Sequence, residues 1–140
     1  MADEIFSTED NTSGKGKESV VPEVIKKKFN WGACLGTWIW GIGNDSYLTL
    51  LIIPAFFLGP FSIFFLIGLP IWFGIKGNEW AWQNRYFDNI AQFNKYQRNW
   101  AKIGVAITVV MTIITVLGCI ILSYSALLLY FMVPPMLYSR

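Results

Sequence analysis

Two long stretches without a charged side chain constrain this protein more than any other feature. Residues Tyr47–Ile75 and Ile103–Val133 contain no Asp, Glu, Lys, Arg or His. Each stretch exceeds the ~20 apolar residues that a helix needs to cross the hydrocarbon layer of a bilayer. A backbone can lie in that layer only when its own hydrogen bonds are closed, so both stretches predict helices. The sequence therefore predicts an all-α integral membrane protein.

The composition agrees, since 54% of the residues are hydrophobic and only 14% are charged, against about 25% charged in soluble domains. Residues 1–28 differ from the rest: they are polar, carry acids and end in three lysines. They are too polar to bury a core, which predicts a flexible tail. Because this segment lacks the basic start and apolar centre of a secretory signal, we expect it to be retained. Residues 29–140 then form a single membrane domain.

An aromatic, glycine-rich segment opens that domain at residues 29–44. It is uncharged but too short to cross ~30 Å comfortably at ~1.5 Å per residue, which predicts an interfacial helix. Gly32 and Gly36 are spaced so that another helix could approach closely, although glycines that simply form turns are an equal alternative. Indole rings prefer the headgroup boundary. The tryptophans expected to anchor this helix are Trp31, Trp38 and Trp40.

The next turn, Asn44-Asp45-Ser46, offers side-chain oxygens that could cap the following helix. Asp45 is the only acid between Lys28 and Lys76. An acid inside the bilayer would indicate a functional contact with a proton or cation. An interfacial cap needs no such role, and we favour it because Asp45 lies between two apolar elements.

The first uncharged stretch, residues 47–75, is interrupted by Pro54, Gly59, Pro60 and Pro70. It is either one kinked span or a hairpin that turns near Gly59-Pro60. Basic residues flank it on both sides, and the positive-inside rule places such flanks in the cytoplasm. An even number of crossings is then required, which favours the hairpin.

Residues 77–102 predict an amphipathic helix, with its aromatic side chains on one face. We expect that face to lie on the bilayer surface or to pack over the hairpin, in preference to the alternative that it docks a partner. Its aromatic residues are Trp82, Tyr86, Phe93 and Trp100. Residues 103–133 then predict a single crossing helix, which leaves the N-terminus cytoplasmic and the C-terminus outside the plasma membrane.

The segment between the hairpin and this amphipathic helix is the sharpest local motif. Lys76 would reach the headgroups, Gly77 would end one helix and Asn78 would cap the next. Glu79 would lie in the first turn of that next helix, where a carboxylate is favourable. Trp80 would anchor at the interface together with Trp82.

The residues that carry chemistry are scarce. The chain has no histidine, and outside residues 1–28 its acids are Asp45, Glu79 and Asp88. Histidine is the commonest general base and metal ligand, and scattered acids do not make a hydrolytic pair. We therefore expect no enzyme activity, no cofactor and no metal. A net charge of +2 also gives no footprint for nucleic acid.

Three motifs together resemble a family: Phe29-Asn30-Trp31-Gly32-Ala33, then Thr37-Trp38-Ile39-Trp40-Gly41, then Lys76-Gly77-Asn78-Glu79-Trp80-Ala81-Trp82. The chain is similar here to small bacterial membrane proteins of a domain-of-unknown-function type with an FNWxAF opening. The resemblance spans residues 29–100. It implies an interfacial aromatic helix, a membrane hairpin and a polar helix, and it implies no activity.

Two functional hypotheses follow. The first is a non-catalytic accessory or scaffold subunit of a membrane complex, whose glycine-rich and aromatic surfaces pack on other transmembrane subunits or on a second copy. The second is a homo-oligomeric pore or transport module, in which Asp45 or Glu79 lines a polar path.

Overall fold

The computed structural model describes residues 11–132, and the elements within that range are helical. The α-helices are α1 (Glu23–Lys26), α2 (Trp31–Gly43), α3 (Ile52–Ala55), α4 (Ser62–Asn84) and α5 (Ile90–Met132). Short 3-10 turns cover Gly16–Glu18, Tyr47–Leu51 and Gly59–Phe61. The chain divides into two units, with the boundary between Ile107 and Thr108.

Two helices are long and apolar enough to cross a membrane: α4 together with the turn before it, and α5. Only 11% of the most apolar stretch of α4 is buried, and none of that of α5. A core helix of a soluble protein would have its apolar face covered. The prediction of an all-α chain with helices able to cross a membrane is therefore confirmed in the described residues.

The core of the first unit forms where α2, the second half of α4 and the start of α5 meet. Its largest fully buried side chains are aromatic, among them Trp40, Trp82 and Phe93. The Trp82 ring packs edge-on against Phe93, with 5.5 Å between ring centroids. This aromatic packing fixes the positions of the three helices around the site described below.

The segment before α2 belongs to this unit, so the predicted flexible tail is wrong for residues 11–28. The hydroxyl of Ser13 donates to the carbonyl of Phe87 (3.0 Å) and accepts from its N–H (2.9 Å). Asn11 Nδ2 donates to the same carbonyl at 2.6 Å. Ile25 is wholly buried in the core. Short polar side chains thus pair with the backbone groups of Phe87, which follows α4. Residues 1–10 of the predicted tail lie outside the described range.

The predicted helix boundary at Gly77 is also wrong. Helix α4 continues through Gly77 to Asn84, and the chain breaks instead between Asn84 and Ile90. The start of α5 is capped by Asn89, whose Oδ1 accepts from the N–H of Gln92 at 2.8 Å. Residues 77–102 are therefore not one amphipathic helix. Helix α5 runs without interruption past Lys102 into the apolar stretch, which was expected to be a separate helix from residue 103.

The turn expected near Gly59-Pro60 is where the chain bends before α4. Gly59 adopts a left-handed conformation (φ 57°), which glycine reaches without steric cost, and α4 begins at Ser62. The arm that precedes this turn is short, because it consists of the 3-10 turn Tyr47–Leu51 followed by α3.

Candidate functional site

Four amide side chains meet at the centre of the first unit. Asn30 precedes α2 and Asn44 follows it, while Asn78 lies in α4 and Gln97 in α5. All four are buried. A buried amide is costly unless its donors and acceptors are paired, so their partners decide what this cluster does.

Gln97 is the centre of the network. Its Oε1 accepts from Trp40 Nε1 and from Asn30 Nδ2, each at 3.0 Å. Its Nε2 donates to Asn44 Oδ1 at 2.7 Å. Asn30 Nδ2 also donates to Asn78 Oδ1 at 2.8 Å. One uncharged network therefore ties α5 to both ends of α2 and to α4, without burying a charge.

The remaining amide atoms bond to the backbone. Asn30 Oδ1 accepts from the N–H of Ala33 at 2.9 Å, which caps α2. Asn44 Nδ2 donates to the carbonyl of Trp40 (2.9 Å), and Asn78 Nδ2 donates to that of Lys28 (2.7 Å). Across residues 11–132, the one buried side-chain nitrogen or oxygen without a partner is Trp82 Nε1. The amides are fully used in holding the helices together.

Around this network the sequence motifs pack on one another. The N–H of Asn30 donates to the carbonyl of Gly74 at 2.8 Å. A Cβ placed on Gly74 would collide with the ring of Phe29, and a Cβ on Gly77 would lie 2.6 Å from that of Ala33. Glycine at these two positions lets α2 and α4 approach closely. Gly77 is thus a packing residue rather than the end of a helix.

The helix that approaches Gly32 and Gly36 is α5 of the same chain. A Cβ on Gly32 would lie 2.9 Å from Trp100 Cβ. A Cβ on Gly104 would lie 3.2 Å from the backbone nitrogen of Gly36. Trp100 is partly buried against the core. This small-residue face is therefore covered from within the first unit.

Asp45 lies in a turn and caps no helix. It adopts a left-handed conformation (φ 55°), and the cap position of the next 3-10 turn belongs to Ser46, with no side-chain hydrogen bond. Its carboxylate lies 3.9 Å from Arg85 Nη1, which donates to the carbonyl of Gly43. The prediction that Asp45 caps the following helix is therefore wrong. The turn is held by the end of α4, where Asn84 Nδ2 donates to the Asp45 carbonyl at 3.0 Å.

Lys76 and Glu79 form an ion pair one turn apart on α4, with Nζ and Oε2 separated by 2.9 Å. Both lie inside the helix rather than at a helix start, so Asn78 caps nothing and Glu79 is not in a first turn. The pair is partly exposed, and such pairs contribute little to stability.

The aromatic residues expected at an interface divide into two groups. Trp40, Trp82 and Phe93 are core side chains. The expectation of an interfacial anchor is therefore wrong for Trp40 and Trp82, and Phe93 lies neither on the bilayer surface nor at a partner surface but packs against other helices. They are buried because α2, α4 and α5 converge on them. Those at the surface are Trp31, Trp38 and Tyr86, and those half-buried are Trp80 and Trp100.

Sequence reasoning missed Asn44 and Gln97 as network members and treated Asn78 as a cap. A usable signal was present for Asn89, because Asn followed three residues later by Gln is typical of a helix start. No comparable local signal marks Gln97, whose partners are distant in sequence.

The chemistry of the site is limited. Burial raises the pKa of the Cys34 thiol on α2, which favours the protonated thiol over the thiolate nucleophile. Among residues 11–132 there is no group of three His, Cys, Asp or Glu side chains placed to hold a metal.

No family model, curated protein or solved structure matches this chain.

Proposed function

We propose that this protein is a non-catalytic integral membrane protein that serves as an accessory or scaffold subunit of a membrane complex. One observation carries the proposal. In the second unit, every residue from Thr108 to Met132 is exposed except the half-buried Gly118. A helix that is apolar all round must be covered by lipid or by other apolar helices.

The start of α4 supports the same proposal. Large apolar side chains on both sides of the Gly59-Pro60 turn are exposed, and Phe57 is 85% exposed. Others are Phe56, Phe61, Ile63 and Phe64. A soluble monomer rarely exposes a patch of this kind, so the patch fits contact with a bilayer or a transmembrane partner.

For the topology we propose a re-entrant hairpin. Its first arm, a 3-10 turn of 5 residues followed by 4 helical residues, is about 16 Å long, which falls short of the ~30 Å hydrocarbon layer. The second half of α4 is committed to the core, since Phe73, Gly77 and Trp82 are buried. A partly inserted hairpin returns to the cytoplasmic side, and α5 alone then crosses the plasma membrane, as the basic flanks require.

The use of the polar residues also supports a structural role. The buried amides bond to one another and to backbone, and both Asp45 and Glu79 face a basic side chain. The resemblance to small bacterial membrane proteins of unknown function rests on three motifs. Asn30, Gly77 and Asn78, which belong to two of them, meet in one packed contact. Membership of that family is part of the proposal.

The test is photo-crosslinking in native membranes, followed by gentle detergent extraction, size separation and mass spectrometry. A crosslinking residue at Leu117, which is exposed on α5, is compared with one at Lys15, which is exposed on the polar surface. We expect a larger membrane protein in stoichiometric amount to be captured from position 117 and not from position 15.

Capture of a uniform homo-oligomer from position 117 would contradict the accessory role and favour the pore or transport module. The variants Asp45→Asn and Glu79→Gln would then be tested for ion flux in vesicles. Loss of flux in either variant would assign that carboxylate to a polar path.

A further inference from the structure

An open groove of about 430 Å³ runs along the surface of the first unit. It lies between the start of α2 and the part of α5 where polar sequence gives way to apolar sequence. Its walls are apolar and are formed by apolar side chains together with the aliphatic stems of one arginine and one lysine. The lining residues are Trp31, Leu35, Arg98, Ala101, Lys102 and Val105.

A smaller, more polar cavity of about 180 Å³ adjoins the groove. The two share Trp31, Arg98 and Ala101, and the smaller one adds Lys28 and Asn94. The surface therefore becomes more polar on the side of Arg98 where Lys28 and Asn94 lie. A ligand that fills both parts must have an apolar end and a polar end.

Among residues 11–132, no acidic side chain pairs with the two cations of the groove. Within residues 11–132 the ion pairs are Lys27 with Glu23, Lys76 with Glu79 and Arg85 with Asp45. Neither Arg98 nor Lys102 therefore has an acidic partner in that range. The two residues are one helical turn apart on α5, so both side chains can reach one anion. Arginine also binds phosphate oxygens in a forked, bidentate geometry.

The groove coincides with the polarity boundary of α5. Lys102 is the last charged residue before the uncharged stretch that begins at Ile103. Trp31, on the opposite wall, is 59% exposed, and exposed indole rings favour the headgroup boundary. Phosphates and the first carbons of lipid chains meet at this depth.

We propose that the groove binds one anionic glycerophospholipid. Its phosphate lies between Arg98 and Lys102, and an acyl chain runs along Trp31, Leu35 and Val105. The inference rests on the membrane location in the proposed function and is independent of the accessory role. It adds a ligand class and a site that assembly with a partner does not require.

The test is native mass spectrometry of the full chain in zwitterionic detergent, with phosphatidylglycerol or phosphatidylcholine added. We expect wild-type protein to retain phosphatidylglycerol selectively. Replacing either cation, Arg98→Gln or Lys102→Gln, should weaken that retention about fivefold, and replacing both about 30-fold, as expected for basic side chains at an anionic lipid surface. The matched control is Lys15→Gln with Lys17→Gln, two exposed cations away from the groove.

A second pair of variants tests the acyl chain. Val105→Phe fills the groove and should lower retention of both lipids, whereas Val109→Phe, one turn further along α5, should leave retention unchanged. Equal retention by wild type and the double cation variant would overturn the proposal. Displacement of the lipid by millimolar inorganic phosphate alone would also overturn it, since the site would then bind free phosphate. Membrane fractionation of the same variants separates loss of this site from failure of membrane location.

Discussion

At the scale of single residues, amide side chains link the helices of the first unit. Gln97 contacts Trp40, Asn30 and Asn44 at once, although these residues are far from it in sequence. Neutral amides can be buried at modest cost when every donor and acceptor is paired. Removing one member should therefore destabilise the fold by more than the loss of a single hydrogen bond, because the partners left behind stay buried.

Replacing Gln97 by leucine tests this expectation. Trp40 Nε1 and Asn44 Oδ1 would each lose their side-chain partner while staying buried. The two unpaired groups together should lower the free energy of unfolding by about 3 kcal/mol. For a unit of this size, that change lowers Tm by roughly 15 °C. Thermal unfolding in detergent, followed by tryptophan fluorescence, measures the change.

Gln83→Leu is the matched control, because Gln83 is a half-buried residue of α4 outside the amide network. Its Tm should change by no more than a few degrees. A Gln97→Leu protein that unfolds at the wild-type temperature would show that the network does not stabilise the fold.

A second residue-scale prediction concerns Thr37, which interrupts α2 with φ 39° and ψ −114°. A β-branched side chain in this region is strained, and glycine is not. We expect Thr37→Gly to raise the stability by about 1 kcal/mol, as the relieved strain exceeds the added chain entropy. Chemical denaturation in mixed micelles would measure it. Thr37→Val keeps the β-branched shape and should change little; a loss of stability in Thr37→Gly would refute the strain.

At the scale of helices, close approach through glycine decides which elements pair. Gly77 lies against Ala33 where α4 meets α2, whereas a Cβ on Gly68, earlier in α4, would meet open space. We expect Gly77→Ala to destabilise the fold by about 2 kcal/mol through overpacking. Gly68→Ala should be neutral or stabilise α4 by up to about 1 kcal/mol. Tm values of the two variants in one detergent provide the comparison, and equal values would contradict the packing.

The same helices show what could be predicted from the sequence. The two apolar helices could be predicted because the absence of charged residues is a property of each segment by itself. The role of Gly77 could not be predicted, because a glycine that ends a helix and a glycine that lets a neighbouring helix approach look alike in sequence. Only the structure places Ala33 opposite Gly77. The segment before α2 was misjudged for a related reason, since Ser13 and Asn11 bond to the backbone of Phe87, which is distant in sequence.

At the scale of the whole molecule, the proposed topology places both flanks of the hairpin on the same side of the membrane. Lys15 precedes it and Lys95 follows it, and both are exposed. In a protein with Cys34 and Cys119 replaced by serine, we expect Lys15→Cys and Lys95→Cys to react with an impermeant maleimide only after cells are permeabilised. Ser139→Cys should react in intact cells, because α5 crosses once in the proposed topology. Opposite accessibility of positions 15 and 95 would mean that α4 crosses completely.

The amide network also bears on how this sequence can diverge. Asn30, Asn78 and Gln97 are each satisfied by another member, so a change in one leaves a buried group that only a change in another can repair. Mutations at these positions should therefore become fixed in pairs or not at all. Descendants of this gene would then change Asn30, Asn78 or Gln97 only together with a bonded partner, even where the exposed residues of α5 drift freely among apolar types.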